Sequence, residues 1–326
     1  FKRSLSLSHV DMMENCFFDL VPTRFLIEFC EVKNKITEHI LKTVPKPRRY
    51  EFYKHVSMML GDIKSRNVRI DPRVLRTYVD DPKLGSYARK ILGCNPSVHY
   101  NQFGTKTGRL TTTPGTFPIL TMNKVFRSGV IPSNDCFVEM DFNGAEVRTL
   151  LGILNKPQPD EDVHDFHLTN IFKNLTTRNE AKVAFFAWLY GSRSAAASPE
   201  AKALEEYYNK QQLLDQYWVD NTITTPFKKE IHGVDHHHAL NYLVQSTAAE
   251  LTLKQALKID HVLRTRGTGS QIAFIIHDAI VLDMKNEDMH LYKVLHRLMS
   301  STNFGNFGVN VKKGNNLGSL KEQKLG

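Results

Sequence analysis

The chain of 326 residues carries 43 lysines and arginines against 34 acidic residues, a formal charge of +9 and a pI near 9.2. That length can bury a large core in one big domain or in two or three lobes, and the basic excess favours a polyanionic partner. Basic residues are spread along the sequence, with only short clusters such as Lys46-Pro-Arg-Arg49, which suits a lined cleft better than a basic tail. Cys16, Cys30, Cys94 and Cys136 lie far apart without C-x-x-C spacing, which argues against a zinc site or a disulfide frame and for thiols in a reducing compartment. No apolar run reaches the roughly 18 residues that span a membrane, and no signal peptide is visible, so a cytoplasmic location and no membrane partner are expected. The first residue is Phe1, so an upstream segment is expected to have been removed.

Residues 1–70 read as helical from the apolar recurrence in Phe17-Phe-Asp-Leu20, Phe25-Leu-Ile-Glu-Phe29 and Tyr53–Ile63, punctuated by Pro45-Lys-Pro47. Residues 71–108 are looser and end in the polar stretch Tyr100–Gly108. Cys136–Asp141 alternates as a strand does, and Ala145–Leu154 is an apolar helix behind it. Residues 160–235 read as mostly helical and polar, with few strand signals. Tyr242–Leu257 is a further helix, and Gln271–Ile276 with Ile280–Met284 flank His277-Asp278 as a hairpin. Strands at both ends of a helical insertion imply an α+β fold.

Two aspartates draw the eye. Asp141 closes one apolar strand, and Asp278 sits in the tight connection between two others. Taken singly, each has an ordinary explanation: a helix cap for Asp141 and a polar turn residue for Asp278. Brought together on a sheet, they could hold a pair of Mg²⁺ ions, the arrangement that drives in-line displacement at phosphorus. His277 beside them either touches a phosphate or is a satisfied polar turn residue.

A third element is Thr177–Gly191. Thr177 and Glu180 form a capping box that fixes a helix start. At 3.6 residues per turn, Arg178, Lys182, Phe186 and Tyr190 fall within an arc of about 120°. Cations at a positive helix N-terminus are awkward unless an anion sits there, and a triphosphate would resolve the conflict. The plain alternative is an amphipathic helix with solvated cations and a buried aromatic stripe. Thr107-Gly-Arg-Leu-Thr-Thr-Thr113 could run along a phosphate backbone or minor groove through Arg109, or be a surface loop. Asn241 and Gln245, four apart on a helix, could bond base or sugar edges, or each other. His236-His-His238 cannot chelate as helix neighbours and reads as polar surface. No G-x-x-x-x-G-K-S/T loop is present, which argues against a P-loop ATPase.

In this order the elements resemble the polymerase module of family A (bacterial polymerase I-like) DNA polymerases. Asp141-Phe-Asn-Gly-Ala-Glu-Val-Arg148 resembles motif A, typically DYSQIELR; the Arg178, Lys182, Phe186, Tyr190-Gly191 spacing resembles motif B; Ile275-Ile-His-Asp-Ala279 resembles motif C, usually VHDE. Asn101–Thr113 is similar to the T-x-T-G-R-L-S-S segment, Leu240–Leu251 to the N-x-x-x-Q-G-T-A-A helix, and Gly314-Asn-Asn-Leu-Gly318 to the closing G-x-N-W. The likeness runs from about residue 97 to the C-terminus.

The resemblance implies a right-hand fold with an antiparallel palm over residues 97–158 and 240–326, helical fingers over 159–239, and a helical N-terminal region with a short thumb over 1–96. It implies that Asp141, Asp278 and the Phe142 carbonyl bind two Mg²⁺ ions, Mn²⁺ being able to substitute. Arg178 and Lys182 would grip the triphosphate of a dNTP, Lys182 as proton donor to pyrophosphate. Phe186 and Tyr190 would flank the sugar and the templating position, Glu146 would exclude a 2′-hydroxyl, and His164, with His167 competing in register, would contact phosphate. Thr107, Arg109, Asn241, Gln245 and His277 would follow the primer–template DNA. Ala279 stands where the family has Glu, Asn143-Gly-Ala145 where Ser-Gln-Ile is usual, and Phe185 and Ala187 where Asn and Gly are usual. The short thumb implies weak grip and a processivity or replisome partner, and the brevity of the chain points to a phage or viral type. A single-subunit RNA polymerase or primase-like enzyme and a primer–template-binding module without catalysis are the rival readings. Glu146 with the aromatic pair speaks against the first, and the retained Asp141, Asp278, Arg178 and Lys182 against the second.

Overall fold

Cys136–Phe142, mostly buried and paired on both sides, forms β1, the central strand of an antiparallel five-stranded sheet. The computed structural model describes residues 2–8, 10, 16–192 and 197–323. The chain divides into two units, Phe1–Lys54 and His55–Gly326. The first contains the amphipathic helix α1 (Thr23–Thr43) and the start of α2 (Tyr50–Lys64).

In the second unit, β1 leads through the two-residue corner Asn143-Gly144 into α3 (Ala145–Ile153), every residue of which is buried. Then come α4 (Val163–Asn170), α5 (Arg178–Leu189), α6 (Pro199–Tyr208) and α7 (Lys210–Tyr217). Three short strands follow: β2 (Trp218–Val219), β3 (Thr222–Thr224) and β4 (Glu230–His232). The long helix α8 (His236–Thr265) returns the chain to the sheet as β5 (Gln271–Ile276) and β6 (Ala279–Met284). After α9 (Tyr292–Ser300), β7 (Val309–Gly314) and β8 (Lys321–Glu322) complete it, giving the order β8-β7-β1-β6-β5. The architecture is α+β, as the sequence pattern predicts.

Register is what positions the site. Asp141 on β1 lies opposite Ala279 on β6 and Asn310 on β7. Directly opposed residues of antiparallel strands share a face, so Asp141, Ala279 and Asn310 project together. One core knits α3, α4, α5 and α8, with Val147, Leu150, Phe185, Trp188, Tyr208, Leu240 and Val244 at its centre.

Three details depart from the expected elements. Residues 218–232 form a small sheet within the segment read as helical; its strands are two or three residues long, too short for alternation to register. Helix α8 overruns the expected 242–257 at both ends; its earlier start is set by Asp235, which caps it by accepting from the His238 N–H at 2.9 Å. Strand β6 starts at Ala279, leaving His277-Asp278 as a two-residue turn. Among the described residues, no helix is long and apolar enough to cross a membrane.

Candidate active site

A cleft of about 460 Å³ opens where β1, the β5–β6 turn, α3, α5 and α8 meet. It is lined by Asp141, Phe142, Glu146, His164, Arg178, Lys182, Phe186, Tyr190, Arg109, His277 and Asp278. Residues drawn from four distant stretches of sequence therefore converge. Three expected residues stand outside it. Thr107 is buried in the loop behind Arg109, where Thr105 Oγ1 donates to the Arg109 carbonyl at 2.9 Å. Gln245 reaches the cleft through a hydrogen bond to Glu146. Asn241 lies one turn earlier on α8, its buried Oδ1 without a hydrogen-bond partner.

The two aspartates are placed by opposite devices. Asp141 is held at a strand end by ladders on both sides. Asp278 follows His277, whose φ of 58° lies in the left-handed region that disfavours a side chain with a Cβ. Burial, then the charge of Asp278 and that of Glu139, push the Asp141 carboxyl up to about 7. Burial likewise raises Asp278, against the pull of Arg109, His277 and Lys182. Hard carboxylate oxygens that repel each other at the mouth of an open cleft fit a divalent cation, which would relieve the repulsion. Ala279, 6 % exposed and opposite Asp141, contributes no third carboxylate.

The corner after β1 is built by residues whose roles were not legible in sequence. Gly144 takes a φ of 68°, and a Cβ there would run into Val163. Arg148, 1 % exposed, donates to the carbonyls of Asn143, Pro159 and Glu161 at 2.8, 2.8 and 3.0 Å, tying this corner to the loop before α4. The Asn143 side chain donates to Asp162 at 2.8 Å and accepts from the Val163 N–H at 3.3 Å.

Glu146 is buried on the first turn of α3 and engages three partners. Arg109 donates to it at 2.6 Å, Tyr190 Oη at 3.1 Å, and Gln245 also bonds it. Burial raises its carboxyl even so, with Arg109 and Tyr190 opposing. Burial, and then the Glu146 charge, push the Tyr190 hydroxyl up to about 12. The loop bearing Arg109 is pinned to the sheet by Tyr100, whose hydroxyl donates to the Ile275 carbonyl at 2.8 Å and accepts from its N–H at 3.0 Å.

Helix α5 begins with the expected capping box of Thr177 and Glu180. Phe186 and Tyr190 lie with ring centroids 5.5 Å apart on its cleft side. Arg178 is bound by Asp162, Nε to Oδ1 at 2.9 Å and an NH to Oδ2 at 2.6 Å. The register of the two histidines resolves: His164 lines the cleft, while His167 is sealed in the core against Tyr208, Nε2 to Oη 2.6 Å. Burial, reinforced by Arg178 and Lys182, pulls His164 down to about 4, so it is neutral at pH 7, with Nδ1 unpartnered. His236 to His238 start α8; His238 pairs with Asp235, and no metal-holding group of three or more His, Cys, Asp or Glu occurs among the described residues.

The fold is similar to that of a solved polymerase domain. The chain is similar to the POL domain of Pol1 from M. smegmatis, solved in complex with DNA primer-template and dNTP, with a TM-score of 0.62 at 15 % identity. That similarity covers 83 % of this chain and 66 % of the other, so this chain spans just under two thirds of the solved domain. No protein-family model matches the chain, and no curated protein matches it.

Proposed function

We propose that the chain is a template-directed DNA polymerase of the family A type, adding dNMPs to a primer 3′-OH with release of pyrophosphate. The observation that carries this is the convergence of Asp141 and Asp278 with Arg178 and Lys182 in one cleft. Paired carboxylates and paired cations facing one space suit a metal-complexed triphosphate. The shared polymerase-domain fold supports the same reading. In it, residues 97–158 and 240–326 are palm, 159–239 fingers, and 1–96 a helical region with a short thumb.

Asp141 and Asp278, with the Phe142 carbonyl, would hold two Mg²⁺ or Mn²⁺ ions. Bound there, such ions would acidify the primer hydroxyl and neutralise the leaving group. Lys182 and Arg178 bind the triphosphate, and Lys182 carries the proton delivered to pyrophosphate. Neutral His164 adds a hydrogen bond to phosphate. Phe186 and Tyr190 form an aromatic wall for sugar and base. Glu146, fixed by Arg109, Tyr190 and Gln245, fills the space a 2′-hydroxyl needs. Arg109, Thr107, Asn241, Gln245 and His277 follow the primer–template. The short thumb calls for a processivity partner, and the setting is cytoplasmic, of phage or viral type.

The test is extension of a labelled primer–template with Mg²⁺ and either dNTPs or rNTPs, with Asp141→Ala and Asp278→Ala alongside. Extension from dNTPs alone, lost in both variants, is expected. Efficient use of rNTPs would move the assignment to an RNA polymerase, and binding without extension to an inactive module.

A further inference from the structure

Resting on that reading, the strongest unassigned feature is the group around Asp162. This carboxylate caps α4, accepting from the His164 and Asp165 N–H groups at 2.9 and 3.3 Å. It also accepts from Asn143 at 2.8 Å and from two nitrogens of Arg178. Burial alone would raise Asp162, but the hydrogen bonds from Arg178, Asn143 and His164 hold it well below the usual carboxylate range. Asn143 belongs to the segment that departs from the family pattern, and its side chain joins the corner after Asp141 to the start of α4. Lys182, one turn beyond Arg178, takes part in no ion pair found among the described residues.

We propose that Asp162 is an internal stand-in for phosphate, a competitor that holds Arg178 in the ligand-free cleft, gives it up to an incoming triphosphate, and takes it back as pyrophosphate leaves. The geometry has what such an exchange requires. The Arg178–carboxylate grip is two-pronged, the same geometry a phosphate would take. Arg178 is half exposed, with a side-chain accessibility of 48 %, so an entering anion reaches it without unfolding anything. After Arg178 leaves, Asp162 keeps its cap and its Asn143 bond, so the exchange does not strand a bare buried charge. A competitor of this kind weakens every ligand that needs Arg178 by the same factor and leaves untouched those that do not.

The experiment is calorimetric titration of the full chain with inorganic pyrophosphate, with dNTP on a dideoxy-terminated primer–template, and with dNMP as control. Asp162→Asn and Asp162→Ser both retain a capping side chain, so α4 survives. Each is expected to bind pyrophosphate and dNTP roughly three- to tenfold more tightly than wild type, with dNMP unchanged. The tightening is expected to vanish when Arg178→Ala is present in the same chain, because the competitor then has nothing to hold. Unchanged or weakened binding in both variants overturns the proposal. So does tightening that persists without Arg178, which would mark a general field effect. Pyrophosphate needs no template, so a chain that fails to extend primers but shows the Arg178-dependent tightening loses the polymerase reading and keeps this one.

Discussion

The two poles of the cleft are built on contrary principles. At the sheet end, Asp141 and Asp278 are left to repel each other, and both resist ionisation. At the helix end, Arg178 is already neutralised by Asp162, although it too faces the cleft. The difference teaches where the protein leaves work for a ligand. A buried carboxylate pair without a cation is a standing electrostatic debt that binding relieves, so affinity for a cation is built in. A cation already paired binds less tightly but releases readily, which suits a ligand that must leave in every cycle.

If the contrast is right, removing either pole has unequal consequences. Asp141→Ala or Asp278→Ala should reduce primer extension by roughly 10³-fold or more, since each removes charge stabilisation worth several kcal/mol. Arg178→Ala should cost only about 10- to 100-fold, chiefly in KM, because its loss is offset by removal of the competing pair. Equal losses in steady-state assays would break the comparison.

The poles should also separate by pH. Asp141 has a folded pKa near 7, above its unfolded value, so the folded state binds the extra proton between about pH 4 and 7. Its contribution therefore falls as pH rises through that window. Asp162 is depressed in the folded state, so its contribution is present above the ordinary carboxylate value and lost as pH falls below that value toward the depressed folded one. In chelator, thermal stability should decline from pH 4 to 7, and the decline should be shallower in Asp141→Asn, where only the other raised carboxyls, Asp278 and Glu146, remain to drive it. Mg²⁺ at pH 7.5 should raise Tm by roughly 2–5 °C in wild type and not in that variant. A Mg²⁺ response that survives Asp141→Asn would place the cation elsewhere.

The smallest effect concerns the wall between the poles. Tyr190→Phe removes one hydroxyl donor to Glu146, leaving Arg109 and Gln245 in place. Discrimination of dNTP over rNTP should drop about three- to tenfold, the net worth of one ordinary hydrogen bond. An unchanged ratio would show that Arg109 and Gln245 together suffice to fix Glu146.

Much of this cleft could be read from the chain. Asp141, Asp278 and the Arg178–Tyr190 face were legible because each sits in a short apolar or helical pattern whose geometry follows from local spacing. The α+β class followed from where those patterns lay. Contacts across sequence were not legible: nothing in Asn143 or Asp162 announces a hydrogen bond spanning 19 residues. Arg148 was visible only as the end of a motif, because its work is done on backbone carbonyls that carry no side-chain signature. The choice between His164 and His167 depended on which face of α4 the core claims, and a helix of eight residues with apolar groups all round does not declare it.

The left-handed backbone at His277 has a consequence of another kind. A histidine there costs about 1 kcal/mol relative to glycine, so the turn carrying Asp278 is a place where the chain forgoes robustness. His277→Gly should therefore raise the melting temperature while loosening the one segment that aims Asp278. A laboratory selection for heat resistance would find this position early, and would be led by it away from the catalytic competence proposed for the cleft.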